Sequence, residues 1–292
     1  MLFLLLTLFA QQQPPDMPIT PARRTQIVEN AAKRIEEEYV DPEKGKEIAA
    51  ALRTTSFTQL TALDFVRAVN AVLKTSGDKH LQFGYDASPS NDDDDTPAEK
   101  GAFVTRRLDG NIGLLTVKWF PPPASAGDDL MKAMKRLAPT KALIVDLRNS
   151  QGGSADMVNL MLSCFMPPDP VLVSTVYFRP TNSTRQFWTL PYLPIPRYVN
   201  KPVYILTSKR DFSGAEGFCE HMKRLRHAIV VGETTRGGAH MTRWEVVDPN
   251  FGVAVPVARH LEHDWEGVGI TPDVAVPEAD ALATAVAMVS RR

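Results

Sequence analysis

The sequence predicts an α/β protein with a largely parallel sheet, preceded by a small bundle of helices. Three observations carry this. From residue 102 onward, continuous aliphatic and β-branched runs alternate with stretches of helical periodicity, the pattern of strands covered by helices on both faces. Residues 21–76 instead carry apolar side chains at three- and four-residue spacing. The chain of 292 residues, 43% hydrophobic and 23% charged, has the length and composition of a folded globular protein of one large or two modest units. Disordered and collagen-like classes are thereby excluded.

The elements follow in chain order. Met1 to Ala10 (MLFLLLTLFA) reads as the apolar region of a secretory signal with cleavage after Ala10, although no Lys or Arg precedes it. Residues 1–20 are therefore expected to be signal and linker, and the mature chain extracytoplasmic, periplasmic or secreted. Thr25 to Tyr39 places Ile27, Val28, Ala31, Ala32 and Ile35 on one helical face. Asp41-Pro42 opens a second helix, with Asp41 as N-cap and Pro42 in the first turn, running to about Arg53. A third helix covers Thr61 to Lys74. These make an N-terminal helical cap over 21–76, and 77–292 form the α/β core. Leu81 to Tyr85 alternates as a short strand, and Asn91 to Asp95 (NDDDD) reads as a solvated acidic loop whose spacing does not match an ordered calcium loop.

In the core, strands are expected at Asn111–Val117, Ala142–Leu147, Val171–Phe178, Val203–Thr207 and Ala228–Val231. Helices are expected at Ala124–Leu137, Ala155–Phe165 and Gly214–Leu225. The Pro-rich stretch from Pro180 to Pro202 reads as a surface lobe or lid.

Charge and cysteine content exclude several classes. Lys and Arg number 33 against 34 Asp and Glu, a net charge of −1, without the basic field of a general nucleic-acid binder. Two cysteines make neither a disulfide scaffold nor a four-Cys zinc module. Cys164 and Cys219 lie in apolar helical patterns and read as buried free thiols. No apolar run reaches the roughly 18 residues of a membrane span.

Three segments carry chemistry-bearing residues. In Val203–Leu225 a buried strand ends in a polar loop, and Ser213 sits where a helix begins, facing unsatisfied N–H groups and a positive dipole end. That place suits a nucleophile. It equally suits a plain N-cap serine. Gly-x-Ser-x-Gly is absent, which argues against a standard α/β-hydrolase. In Asp146–Gly153 (DLRNSQGG) a buried strand ends in the Gly152-Gly153 turn, whose N–H groups suit an oxyanion hole; Asp146 and Arg148 read as structural. No Lys-Ser/Thr follows, so a phosphate loop is excluded. Six histidines offer a base: His80, His221, His227, His240, His260 and His263. His221 and His227 read as surface residues. His260 and His263, in HLEHD, suit a metal but lack an identified third ligand. His80 follows the Gly77-Asp78 turn and starts a strand, a well-fixed place for a base.

Together these segments resemble the tail-specific, C-terminal-processing serine peptidases, on the branch of the tricorn core and the interphotoreceptor retinoid-binding-protein-like modules. The resemblance is carried by GDKHL (Gly77–Leu81), NIGLLTVKWF (Asn111–Phe120), ALIVDLRNSQGG (Ala142–Gly153), LTSKRDFSGAEGF (Leu206–Phe218), VVGETTRGGAH (Val230–His240) and WEGVGITPDVAVP (Trp265–Pro277), in the family's order. It implies a crotonase/ClpP-like β-β-α superhelix core. It implies Ser213 as nucleophile, His80 as base, Glu266 as the acidic partner, and the N–H groups of Gly214 with Gly152 or Gly153 as oxyanion hole. It implies a peptide or unfolded-protein substrate, an acyl-enzyme mechanism, and neither metal nor organic cofactor.

The sequence departs from the family pattern in three ways. Gly238 stands where many bacterial relatives carry the lysine of a Ser–Lys dyad, and Arg236 cannot serve as a base because it stays protonated. Lys79 precedes His80 where the tricorn type has serine, so Glu266 pairs either with Lys79 or with His80. The stretch between Tyr85 and Gly101 is far too short for a PDZ domain. Two other functions remain on the same fold: a non-catalytic module for apolar ligands, or a hydrolase of small esters and amides. Phe212, Trp119, Phe120, Met241 and Trp265 are candidate pocket residues or plain core.

Overall fold

A computed structural model describes residues 15–86 and 101–291. The apolar run Met1–Ala10 and the acidic run Asn91–Asp95 lie outside the described residues. Three helices come first: α1 (Pro21–Glu38), α2 (Pro42–Thr54) and α3 (Ala62–Leu73). Their starts follow capping chemistry. Thr20 Oγ1 accepts from the Arg23 N–H, Asp41 Oδ1 from Glu43 and Lys44, and Thr61 Oγ1 from Asp64.

Beyond the cap lie two sheets. The first has the strand order β11-β8-β7-β4-β3-β2, formed by β2 (Phe103–Leu108), β3 (Ile112–Val117), β4 (Ala142–Asp146), β7 (Val203–Thr207), β8 (Ile229–Gly232) and β11 (Val274–Ala275). It is parallel except for β2, which pairs antiparallel with β3. Its central strands alternate between two cores. Leu143, Val145, Val203 and Ile205 face a core shared with α4 (Pro123–Leu137), α5 (Ala155–Ser163) and α6 (Gly214–Arg224). Ala142, Ile144, Tyr204 and Leu206 face Ala281, Ala285 and Val289 of α7 (Glu278–Ser290). Burial on both faces explains why β4 and β7 read as unbroken apolar runs.

The second sheet is antiparallel: β1 (Gln82–Tyr85), β10 (Phe251–His260), β5 (Leu172–Phe178) and β6 (Ser183–Trp188) in that order, with β9 (Met241–Asp248) also paired to β10. The cap helices pack on it. Ile27, Ile35, Leu52, Phe65 and Leu73 share a core with Phe83, Phe251, Val253 and Val255. The expectation of one largely parallel sheet thus holds for one of two sheets. β9 and β10 were missed because charges and a proline interrupt their patterns (TRWEVV, FGVAVPVAR), although β10 is buried along most of its length.

One further reading is made specific and one is corrected. The stretch 180–202 begins as β6, a hairpin partner of β5. It is otherwise mostly exposed, a surface lobe, and is anchored where Leu193 and Tyr198 are buried and the Tyr198 N–H bonds the Cys164 carbonyl (2.7 Å). His221 is 4% exposed, because α6 turns that face into the core. Both cysteines are free and buried, and burial pushes the Cys164 thiol up to about 12.

Candidate active site

Parallel neighbours deliver the site. β4 and β7 are in register (Val145 beside Ile205, Asp146 beside Leu206), so the loops after them leave the sheet together. This carboxyl-end crevice is where open α/β sheets bind ligands. The two loops are stitched by Phe212 N–H to Ser150 O (3.0 Å) and Asn149 N–H to Asp211 Oδ1 (2.9 Å). Asp211 also accepts from the Ser208 N–H and hydroxyl, and burial lifts its carboxyl to about 7. Asp146 binds Arg148 through both oxygens (2.8 Å each), a structural pair as expected.

Ser213 sits at the N-cap of α6 with φ 55 and ψ −123. A non-glycine residue there is strained, and such strain concentrates at functional sites. It holds the serine in the lining of a cavity of about 570 Å³, together with Gly153, Gly214, Gly238, His240, Met241 and Trp265. The Gly152-Gly153 turn lies against this corner. A Cβ on Gly152 would strike the Gly214 nitrogen and come within 2.9 Å of Ser213 Cβ, and one on Gly214 would stand 3.1 Å from the Gly153 nitrogen. Only glycines permit that approach. The turn is pinned by Phe120 N–H to Gly152 O (2.8 Å) and Ser154 N–H to Phe120 O (2.7 Å).

Glu216, one turn into α6, was not singled out from the sequence, though Ser213-x-x-Glu216 is a capping-box spacing. Fully buried, it organises the neighbourhood. Oε2 accepts from the N–H of Ser213 (2.9 Å) and Gly238 (2.7 Å); Oε1 accepts from Gly237 N–H (2.6 Å) and Thr235 Oγ1 (2.5 Å). Burial raises its carboxyl pKa against the pull of these donors.

His80 stacks on Phe212, ring centroids 4.4 Å apart at 28°. Gly238 leaves the room: a Cβ there would strike the Phe212 ring and stand 2.7 Å from His80 Cε1. The position at which the sequence lacks a dyad lysine is thus the position His80 and Phe212 fill. Glu266 Oε2 lies 3.9 Å from His80 Nδ1, while Lys79 Nζ bonds the Arg236 carbonyl, so Glu266 is the neighbour of His80 and not the partner of Lys79. Neither His80 ring nitrogen is hydrogen-bonded, so no bond joins it to Ser213. Catalytic hydrogen bonds are often long in free enzymes and tighten with substrate.

Asp78 and His240 complete the cluster. Asp78 accepts from the His80 backbone N–H (2.8 Å) and Tyr39 OH (2.9 Å), and pairs with His240 Nδ1 (3.0 Å). Burial opposes ionisation of Asp78, but His240 and these donors hold its carboxyl below the usual range. Asp78, His80 and Glu266 bring donor atoms within 4.8 Å. The Asp78 oxygens are already engaged, which leaves fewer free donors than the four of a zinc site. At the HLEHD segment, His260 stacks on Trp265 (4.9 Å, 28°) and His263 Nδ1 lies 3.4 Å from Glu220; among the described residues no group with metal-ligand spacing forms there.

A family match gives the class to which this fold and corner belong, a serine-type peptidase. The chain belongs to peptidase family S41, whose model matches residues 111–276, more than half of its length. Solved structures share the fold at low identity. A lipoprotein from Streptococcus agalactiae is 18% identical, with TM-score 0.65, over 94% of this chain and 99% of that one. The photosystem II D1 C-terminal processing protease is 13% identical, with TM-score 0.60, over 89% and 94%. The tricorn protease is 13% identical, with TM-score 0.57, over 89% of this chain and 35% of its own. Among the described residues no helix is long and apolar enough to cross a membrane.

Proposed function

We propose that this peptidase cleaves unfolded protein segments through an acyl-enzyme at Ser213. His80 takes the Ser213 proton as Oγ bonds to the peptide carbonyl carbon. The N–H groups of Gly214 and Gly153 hold the oxyanion, with Gly152 shaping their turn. His80 then protonates the leaving amine as the C–N bond breaks, and water releases the acyl group by the same route. Glu266 orients His80. The observation that carries this reading is the Ser213 backbone, φ 55 and ψ −123 at a helix start against two glycines. No step calls on a metal or an organic cofactor. The apolar run Met1–Ala10 supports export and an extracytoplasmic site of action. Residues 21–76 act as a cap on the peptidase core over 77–292, contributing Tyr39 to the network around Asp78.

The test is mass spectrometry of an unfolded protein incubated with wild type and Ser213→Ala. Products from wild type alone are expected, and their ends report specificity. Equal products from both remove Ser213 as nucleophile. Cleavage of small esters with no peptide product favours the ester hydrolase reading, and no product of either kind favours a ligand-binding module.

A further inference from the structure

Two histidines face the same carboxylates, and their surroundings differ. His80 Nδ1 lies 3.9 Å and His240 Nδ1 3.7 Å from Glu266 Oε2. His240 Nδ1 also lies 3.0 Å from Asp78 Oδ2, and its Nε2 is 3.6 Å from Asp264 Oδ2. A histidine with carboxylates at both nitrogens donates at both only as the imidazolium. We propose that His240 is a positioning residue, a resident cation that offsets part of the negative charge of Asp78 and Glu266 and so weakens the hold of that charge on a proton at His80, the group that accepts the serine proton. The proposal rests on His80 being the base.

The physical argument is one of charge balance. The Asp78 side chain is fully buried and Glu266 is 14% exposed. Unbalanced carboxylates at such depth hold a proton on any neighbouring imidazole. The other charges around the cluster do not supply the balance. Lys79 turns to the Arg236 carbonyl. Arg236 lies over Phe212, 4.7 Å from its centroid, and Arg243 is taken by Glu38 and Glu245. Arg259 acts on Asp264 from β10. Tyr39 offers Asp78 a neutral hydroxyl, and Glu216, bonded to the Gly238 N–H, adds further negative charge. That leaves His240. Burial opposes its charge, yet Asp264, Asp78 and Glu266 push its pKa up to about 9. His240 is thereby assigned to carry charge rather than to move protons.

The geometry also raises a rival. An Asp78–His240 contact at 3.0 Å resembles the orienting pair of a catalytic histidine, and His240 lines the cavity with Ser213. The experiment is the pH profile of kcat/KM for peptide hydrolysis, pH 5 to 10, for wild type, His240→Gln, His240→Lys and His80→Gln, with melting temperatures alongside. Removing the cation is expected to move the acid limb of the His240→Gln profile up by about one pH unit, a roughly tenfold loss on that limb, with most of the rate regained near pH 9. His240→Lys, which keeps the charge, holds the limb near its wild-type position. His80→Gln is inactive throughout. An unmoved limb in His240→Gln, or a limb in His240→Lys that moves as far as in Gln, overturns the proposal while leaving His80 as base. Loss of activity at every pH in folded His240→Gln also overturns it. If His80→Gln then stays active, the base assignment falls as well.

Discussion

Phe212, the residue before the candidate nucleophile, lies against the ring of the candidate base, His80, at 4.4 Å and 28°. The stack joins two elements distant in sequence: the loop after a parallel strand and the turn that leaves the helical cap. It exists because position 238 carries no side chain. Gly238→Ala therefore drives a Cβ into both rings. Expected is at least a tenfold fall in kcat with destabilisation of about 1–3 kcal/mol from overpacking. Stopped peptide-hydrolysis assays and thermal melts measure both. An Ala variant with wild-type kcat contradicts the arrangement.

Glu216 accepts four hydrogen bonds and donates none, so the amide isostere is no substitute. In Glu216→Gln one oxygen becomes an NH₂ that faces donors. At least one bond is lost, because only the Thr235 hydroxyl can turn to accept while the Gly237 N–H is left unsatisfied, a cost of about 1–3 kcal/mol. The melting temperature is expected to fall and kcat with it, since the common anchor of Ser213 and Gly238 is weakened. A Gln variant as stable as wild type would show that these bonds do not organise the corner.

The Ser213 backbone makes a prediction of opposite sign. At φ 55 and ψ −123, glycine is at ease where serine is strained. Ser213→Gly is expected to abolish hydrolysis while raising stability by about 1 kcal/mol, the trade seen where a site stores strain. Denaturant titration decides it; a destabilised glycine variant would mean that the serine side chain supports the fold.

Burial, with the charge of His221, lowers the His260 pKa from 6.5 to about 4. The folded state therefore binds fewer protons than the unfolded state between those values. The stability His260 contributes is complete above pH 6.5 and is lost as pH falls through about 4. The loss amounts to as much as ~3 kcal/mol. Thermal melts of wild type and His260→Phe from pH 7.5 to 4 measure it; the Phe variant is expected to show the weaker acid dependence.

Much of this was legible in the sequence. β4 and β7 are doubly buried, so their apolar runs announced them, and the residues that follow, Gly152-Gly153 and Ser213, inherit their positions from those strands. The resemblance to the tail-specific peptidases rested on those segments, and family membership agrees with it. What the sequence hid depends on long-range approach. Glu216 was not singled out because nothing local shows that residues 235–238 fold over it. Asp78 looked like a turn residue until Tyr39 and His240 closed on it. His240 was one histidine among six, since its role depends on Asp78 and Asp264, which lie 162 residues before and 24 residues after it. His221 was misplaced because α6 is buried on more faces than its mixed pattern suggests.

The central claim is that Ser213 is a nucleophile activated at this corner. A fluorophosphonate probe tests it without any assumption about substrate, because it phosphonylates activated serines. Intact mass and peptide mapping of the labelled full-length protein are expected to show one adduct, on Ser213. Labelling should be slowed at least a hundredfold in His80→Gln and be absent in Ser213→Ala. An adduct elsewhere, or labelling of Ser213→Ala at the wild-type rate, would contradict the account.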